Sequence, residues 1–389
     1  MPILLSRDNL KKIITVTDAI QAVEEGFRHY KGGHCDVPVR KEMRLDENQG
    51  IFLFMPAFMK PGNVFGTKIV SVFPNNLQRG LSTIQGVYML NDPTTGELLA
   101  LMDGIFLTSL RTGAASAIAT KYLARKDAAM LGIVGSGGQA AFQAAAICKV
   151  RPIREIYVYD TNSQNARKFS ETASRDLKLP VTAVDSVHEA AASADILVTA
   201  TTAKEPVLDG NDVKPGTHIN AVGYQGPTCR ELDTITVKKA RIIVDTYEGC
   251  MTEAGDLLVP IQQGELSKDD IYADLGEIIC GHKKGRIDDA DVCLVGHHER
   301  DLVGADAGAL DEMSEVGTVG QALVERDAAP VEQRCVDQPR THHPTDVGRP
   351  CDHIPSLDIV VEVAVHGGLD RGVSLVAASP VVAGLDLPG

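Results

Sequence analysis

The chain has 389 residues, a length for two to three domains, and 44% of them are hydrophobic, ample for packed cores. The longest apolar runs fall well short of a membrane span, and the 38 Lys and Arg set against 52 Asp and Glu form no basic stripe, so neither a membrane nor a nucleic acid is an expected partner. The eight cysteines contain no CxxC pair, which argues against a zinc ribbon or a redox couple and fits reduced thiols in a cytoplasmic protein.

The opening MPILLSRDNLKK has no long apolar core and no small-residue cleavage site, so no signal peptide is expected. TVTDAIQAVEEGFRHYKGG then places apolar residues at helical spacing and stops at glycine after Lys31. Strand-like runs come next in VPVRKEMRL, GIFLFMPAFM, VFGTKIVSVFP and TIQGVYMLND, and the turn DPTTGE leads into LLALMDG. A helix followed by a meander predicts an antiparallel or mixed sheet, closed by the small-residue helix IFLTSLRTGAASAIATKYLA. From Ala128 the rhythm changes. Six short apolar strands, AAMLGIVG, REIYVYD, PVTAVD, DILVTAT, HINAVG and RIIVDT, alternate with helical stretches. That alternation predicts an α/β fold with a Rossmann-type, doubly wound parallel sheet, joined to a mixed α+β first domain.

A second break comes near residue 288. From Asp288 to Gly389 there are 19 Asp and Glu against 6 Arg and no Lys, whereas the preceding residues hold 33 acidic and 32 basic side chains. All 9 Phe and all 8 Tyr lie before the break. The reading is therefore three parts: a substrate-binding and dimerisation domain over 1–127, a dinucleotide-binding domain over 128–287, and an atypical acidic tail over 288–389 with little ordered structure. A shifted reading frame or a fused foreign segment is one cause consistent with such a tail. Its adjacent histidines, His297 with His298 and His342 with His343, are read as unliganded, and no metal is expected.

The strand MLGIV, the turn GSGGQ and the following helix carry Gly135-x-Gly137-x-x-Ala140, the G-x-G-x-x-A form of the dinucleotide fingerprint. Gly135 permits the tight turn, Gly137 lets the main chain approach a pyrophosphate, and Ala140 lets helix and strand pack closely. Asp160 ends the next strand, 25 residues after Gly135, where a carboxylate accepts from an adenosine 2′-OH and repels a 2′-phosphate. This favours NAD, with NADP left open by Arg167 and Lys168 just behind.

A nucleotide-binding fold names no reaction, so the first domain must supply the substrate site. Three cations stand out there by position: Arg40 in VPVRKEM, Lys68 among apolar strand residues, and Arg111 in a helix of small residues. They are either surface cations with snorkelling stems or site residues. Arg111 suits the first reading least, since a buried charge needs a partner.

The segments PVR, MPA, GTKIVSVFPNN, STIQGVYMLNDPTTGELLALMDG, TSLRTGAASAIATKYLAR, GIVGSGGQA and NAVG…P…REL together resemble the ornithine cyclodeaminase/mu-crystallin family over about residues 1–287. The resemblance implies an NAD(P)-dependent enzyme acting on a small 2-amino or 2-imino acid, cytoplasmic and homodimeric. Within it Arg40 and Arg111 match carboxylate-binding positions, and Lys68 matches the acid/base that moves a proton at the substrate nitrogen. Thr83, Arg111, Thr112, Ser136, Gly137, Gln139, Asp160 and Thr202 match cofactor contacts. Two positions depart from the family pattern: Leu53 stands where the cyclodeaminases carry a Glu, and Gln225 where the cyclodeaminases and the alanine dehydrogenase type carry an Asp that the imine-reductase branch lacks. The expected activity is imine reduction or alanine dehydrogenase-like chemistry. Ornithine cyclodeaminase and a non-catalytic NAD(P)H-binding crystallin-like protein are the alternatives.

Overall fold

The computed structural model describes residues 1–38, 40–223 and 226–297. The first part runs β1 (Ile3–Leu5), α1 (Arg7–Ile13), α2 (Val16–Lys31), β2 (Cys35–Asp36), β3 (Lys41–Leu45), β4 (Gly50–Met59), β5 (Val64–Val72), β6 (Ile84–Asn91), β7 (Leu98–Asp103) and α3 (Gly104–Leu123). Ser6 and Thr15 cap α1 and α2 through reciprocal side-chain and main-chain bonds, and Gly32 stops α2. β4 to β7 pair antiparallel in succession, and β1 joins β7 in parallel, giving a seven-stranded mixed sheet in the order β1-β7-β6-β5-β4-β2, with β3 also on β4. Alternation divides each strand between two faces. Ala57, Tyr88, Leu90 and Met102 pack with Phe106 and Leu110 of α3 on one face.

The second part runs β8 (Met130–Val134), α4 (Ala140–Val150), β9 (Glu155–Tyr159), α5 (Ser163–Leu177), β10 (Val181–Ala183), α6 (Val187–Ser193), β11 (Ile196–Thr199), β12 (His218–Ala221), α7 (Thr234–Lys239), β13 (Ala240–Val244), α8 (Tyr247–Glu253), α9 (Gly255–Gln262), β14 (Ile271–Asp274), α10 (Leu275–Ile279) and β15 (Val292–Gly296). Its eight strands are all parallel, in the order β10-β9-β8-β11-β12-β15-β13-β14. The mixed sheet and the doubly wound parallel sheet expected from the sequence are both present.

Four strands lie outside the sequence reading: the short β1 and β2, and β14 and β15 of the parallel sheet. β14 is a four-residue strand hidden between a turn and a short helix. β15 corrects the boundary drawn at Ile287: it sits between β12 and β13 and pairs with both, so residues up to His297 belong with the parallel sheet. VCLVG is a short apolar run of the kind a sheet interior needs, and all five residues are buried. The abrupt charge step beside it drew the boundary too early. The rest of the expected tail, with His298, His342 and His343, lies outside the described residues.

The two sheets share one core. Phe27 of α2, Ile118 of α3, Ile243 of β13 and Val295 of β15 belong to a single apolar cluster. α3 is the hinge pin of this arrangement: 16 of its 20 residues are buried, which only small and apolar side chains allow. Its last carbonyls are met by arginines. Arg286 donates to Leu123, and Arg151 donates to Lys121 and Ala124, placing positive charge at the negative end of the helix. Glu24 of α2 accepts from Lys121 Nζ at 2.6 Å and Tyr122 Oη at 2.6 Å. Burial alone would raise its pKa, but these donors outweigh burial and hold it below the ordinary carboxylate range. No helix among the described residues is long and apolar enough to cross a membrane.

Candidate functional site

The parallel sheet winds outward from β8 to β10, then returns to the other side of β8 for β11 and β12. A crevice therefore opens beyond the carboxyl ends of β8 and β11, the position where open α/β sheets bind ligands. A cavity of about 320 Å³ lies there, lined by the glycine loop after β8, by Asp160–Asn162 after β9 and by Thr201–Ala203 after β11. Gly135, Ser136, Gly137, Gln139, Asp160 and Thr202, all named from the sequence, line this one cavity.

Gly135 has φ +97°, and a Cβ there would stand 2.4 Å from the Ala200 carbonyl oxygen, so the turn admits no side chain. At Gly137 and Gly138 the space a Cβ would fill is open. α4 starts just beyond with no side-chain cap, leaving its first N–H groups and its positive dipole end to meet an anion. A pyrophosphate fits this cradle. Asp160 is already held: its Oδ2 accepts from Ser136 N at 2.9 Å and Ser136 Oγ at 2.8 Å, and its Oδ1 accepts from Asn162 N at 2.8 Å. A carboxylate has about four acceptor sites, so one remains for a ligand hydroxyl.

The predicted cations lie in the first part of the chain. Lys68 sits mid-strand in β5, opposite Met55 of β4 and Tyr88 of β6, and is 2% exposed. It occupies the sheet face that α3 covers, beside the buried Leu53, Met55 and Val70. It is no snorkelling surface lysine. Arg111 lies partly buried on α3, next to Thr112, whose hydroxyl donates to the Thr108 carbonyl at 2.8 Å. Thr83 is buried where the chain enters β6. Thr83, Arg111 and Thr112 stand outside the lining of the glycine-loop cavity. Gln225 lies outside the described residues.

Arg40 crosses between the two parts of the chain. It precedes β3, and its guanidinium donates to the carboxylate of Glu253 at the end of α8. Glu253 was missed by sequence reasoning; TEAGDL offers only an acid at the end of a helix. A second missed residue is Glu231, with its neighbour Asp256, both buried. Glu231 accepts from Thr199 Oγ1 at 2.7 Å, Thr201 N at 2.6 Å and Gly223 N at 2.9 Å. Its one signal in the sequence is an acid just before Leu232 in the REL segment. Burial raises the pKa of Glu231 against the pull of these donors. Burial and the neighbouring Glu231 charge push Asp256 up to about 7.

A glycine cradle at the reversal of a parallel sheet, joined to a mixed sheet carrying a buried lysine, defines a dinucleotide-binding α/β protein of two sheets. The chain belongs to the ornithine cyclodeaminase/mu-crystallin family, whose sequence pattern matches residues 2–297. It is 38% identical over 293 residues to the alanine dehydrogenase of Archaeoglobus fulgidus, covering 75% of this chain and 88% of that enzyme. Among solved structures it resembles Thermococcus litoralis Delta(1)-pyrroline-2-carboxylate reductase in complex with NADH and L-proline, with TM-score 0.74, 41% identity, and coverage of 81% of this chain and 96% of that one. It also resembles an archaeal alanine dehydrogenase dimer with bound NAD, with TM-score 0.71, 34% identity, and coverage of 85% and 99%.

Proposed function

We propose that this protein is an NAD-dependent oxidoreductase that interconverts a small 2-imino acid and the corresponding 2-amino acid. The observation that carries the reading is the gathering of Gly135, Ser136, Gly137, Gln139, Asp160 and Thr202 around one cavity at the reversal of the parallel sheet. Relatives that share this architecture act on alanine or on pyrroline-2-carboxylate, by their names.

The glycine loop and the start of α4 hold the pyrophosphate, and Asp160 offers its remaining acceptor site to the adenosine ribose. Thr83, Arg111 and Thr112 complete the cofactor contacts from the first part of the chain. Bound NADH supplies the hydride. Arg40 and Arg111 bind the substrate carboxylate, to which each guanidinium presents a planar, bidentate fork of donors. The Lys68 ammonium gives its proton to the imine nitrogen as C2 is reduced, and takes it back in the reverse direction. The apolar wall beside it excludes water. Leu53, 3% exposed in that wall, offers no acceptor for a second ammonium group, which weighs against ornithine as substrate.

The first 127 residues form the substrate domain and the residues from 128 through β15 the cofactor domain. The chain acts as a homodimer. The sheet face opposite α3 bears Phe54, Phe58, Phe65, Ile69 and Met89, all part-exposed and none of them in the core cluster that α2 and α3 share. A second copy would cover this face. The six free cysteines of the described residues suit a cytoplasmic setting.

The test is a screen for NADH oxidation, repeated with NADPH, offering pyruvate with ammonia or methylamine and a set of cyclic 2-imino acids. Saturable oxidation of NADH with at least one of them is expected. NADH binding without turnover on any of them would leave a binding protein, and proline released from ornithine at about 1 per second or faster would make it a cyclodeaminase.

A further inference from the structure

We propose that Glu231 is a positioning residue that fixes the Thr201–Ala203 wall of the cofactor cleft; the proposal rests on the NAD-binding reading of that cleft. The wall is a loop after β11, without regular structure of its own, facing the glycine loop across the cavity. Something must hold it at a fixed distance from Gly135, whose turn already touches Ala200. Glu231 is placed to do this. Its Oε1 takes Thr201 N, and its Oε2 takes Thr199 Oγ1 and Gly223 N. One carboxylate thus ties the end of β11, the wall and the loop after β12 into a single body. The tie continues outward, because Thr201 Oγ1 accepts from Ala203 N at 3.1 Å. The two loops are in main-chain contact: a Cβ on Gly223 would stand 2.3 Å from Thr201 N.

Asp256 of α9 holds the holder. Its Oδ1 accepts from Glu231 N and Leu232 N, each at 2.8 Å, so the main chain bearing Glu231 is pinned from below. Two carboxylates this deeply buried and this close do not both ionise easily. Glu231 has three donors and Asp256 two, so the negative charge rests on Glu231 and the proton on Asp256. Charge-assisted bonds to main-chain N–H groups are roughly twice as strong as neutral ones, which suits a group whose task is to hold a loop still. A neutral amide in place of Glu231 cannot reproduce the set. Whichever way it is turned, its NH2 faces either Thr201 N or the Gly223 N–H.

The experiment uses the full chain and two variants, Glu231→Gln and Thr199→Val. NADH affinity is read by fluorescence titration, and the KM for the imino acid by steady-state kinetics. Glu231→Gln should weaken NADH about tenfold while the KM for the imino acid moves less than threefold. A residue that only stabilises the fold would lower Tm and leave the affinity of the remaining folded protein alone. Thr199→Val removes a single donor and should weaken NADH about threefold; it decides the matter if Glu231→Gln does not fold. Wild-type NADH affinity in whichever of the two variants folds would overturn the proposal. Failure of the wild-type chain itself to bind NADH would instead overturn the proposed function.

Discussion

The parallel sheet and the mixed sheet contribute to the proposed site in different ways. In the parallel sheet the main chain forms the site: a glycine turn at φ +97°, open space at Gly137 and Gly138, and uncapped N–H groups at the start of α4. In the mixed sheet the proposed site is one of side chains: Lys68 buried mid-strand, Arg111 on α3, and Arg40 reaching across to Glu253. A main-chain site depends on the absence of atoms, so adding one methyl group damages it. A side-chain site depends on particular charged atoms, so removing them damages it while the fold survives. The largest test of this contrast is Lys68→Ala. Turnover should fall at least about a thousandfold, within the range for loss of a general acid. NADH affinity should stay within about threefold, because the glycine cradle lies on the other sheet. A comparable loss of NADH affinity would erase the distinction between the two sides.

Within the cradle the contrast can be sharpened. Gly135→Ala places a Cβ 2.4 Å from a main-chain oxygen at a φ that L residues rarely adopt. It should destabilise the fold by about 2 kcal/mol or more, as well as abolishing NADH binding. Gly137→Ala meets nothing within 4 Å, so it should leave Tm nearly unchanged and weaken NADH alone. Thermal melts with and without NADH separate the two. Equal loss of Tm in both variants would mean that the open space at Gly137 is not reserved for a ligand.

The same contrast explains what could be read from the sequence. The glycine cradle was legible because main-chain geometry restricts residue type, and a strand, two spaced glycines and a helix leave a pattern within 16 residues. α2, β4 and α5 were legible from periodicity and turn residues. The buried state of Lys68 was not, since a lysine between apolar neighbours reads equally as a snorkelling stem; its proposed role rests on family resemblance. Glu231 and Glu253 were invisible for a different reason. Each acts on residues far away in the chain, and nothing local marks an acid that reaches 30 residues back to Thr201 or 213 back to Arg40. β15 was lost to composition: a five-residue apolar run beside an abrupt change in charge is easily assigned to the acidic segment on its far side.

Asp160 offers a smaller effect on the cofactor side, where a side chain does enter. In the proposed reading, Asp160→Ser removes the acceptor for the ribose hydroxyl and the charge that repels a 2′-phosphate. The ratio of kcat/KM for NADPH over NADH should rise about tenfold or more. An unchanged ratio would assign the reading of the ribose to Arg167 or Lys168. Part of any general loss would come from Ser136, whose N–H and hydroxyl lose their partner. The ratio is therefore the quantity to measure.

The smallest effect on activity, and none near neutral pH, is expected at the seam between the two sheets. His218 of β12 is fully buried, and neither ring nitrogen finds a hydrogen-bond partner of good geometry among the described residues. Burial, aided by the positive charge of Arg286, pushes its pKa down to about 3. The folded protein therefore refuses a proton that the unfolded chain accepts below about pH 6.5. Stability must fall as pH drops through that window, by up to about 1.4 kcal/mol per unit for this one group. Asp256 works in the opposite sense: its pKa is raised, so it favours the folded state most at low pH and loses that effect as pH rises towards 7. A comparison of wild type with His218→Leu cancels Asp256, which both proteins share. The variant keeps an apolar group of similar bulk against α3 and should match wild type in turnover. Between pH 7 and pH 5, urea unfolding should show wild type losing about 2 kcal/mol more than the variant. Parallel curves would mean that His218 gains its proton in the folded state, and that the seam between the sheets admits water.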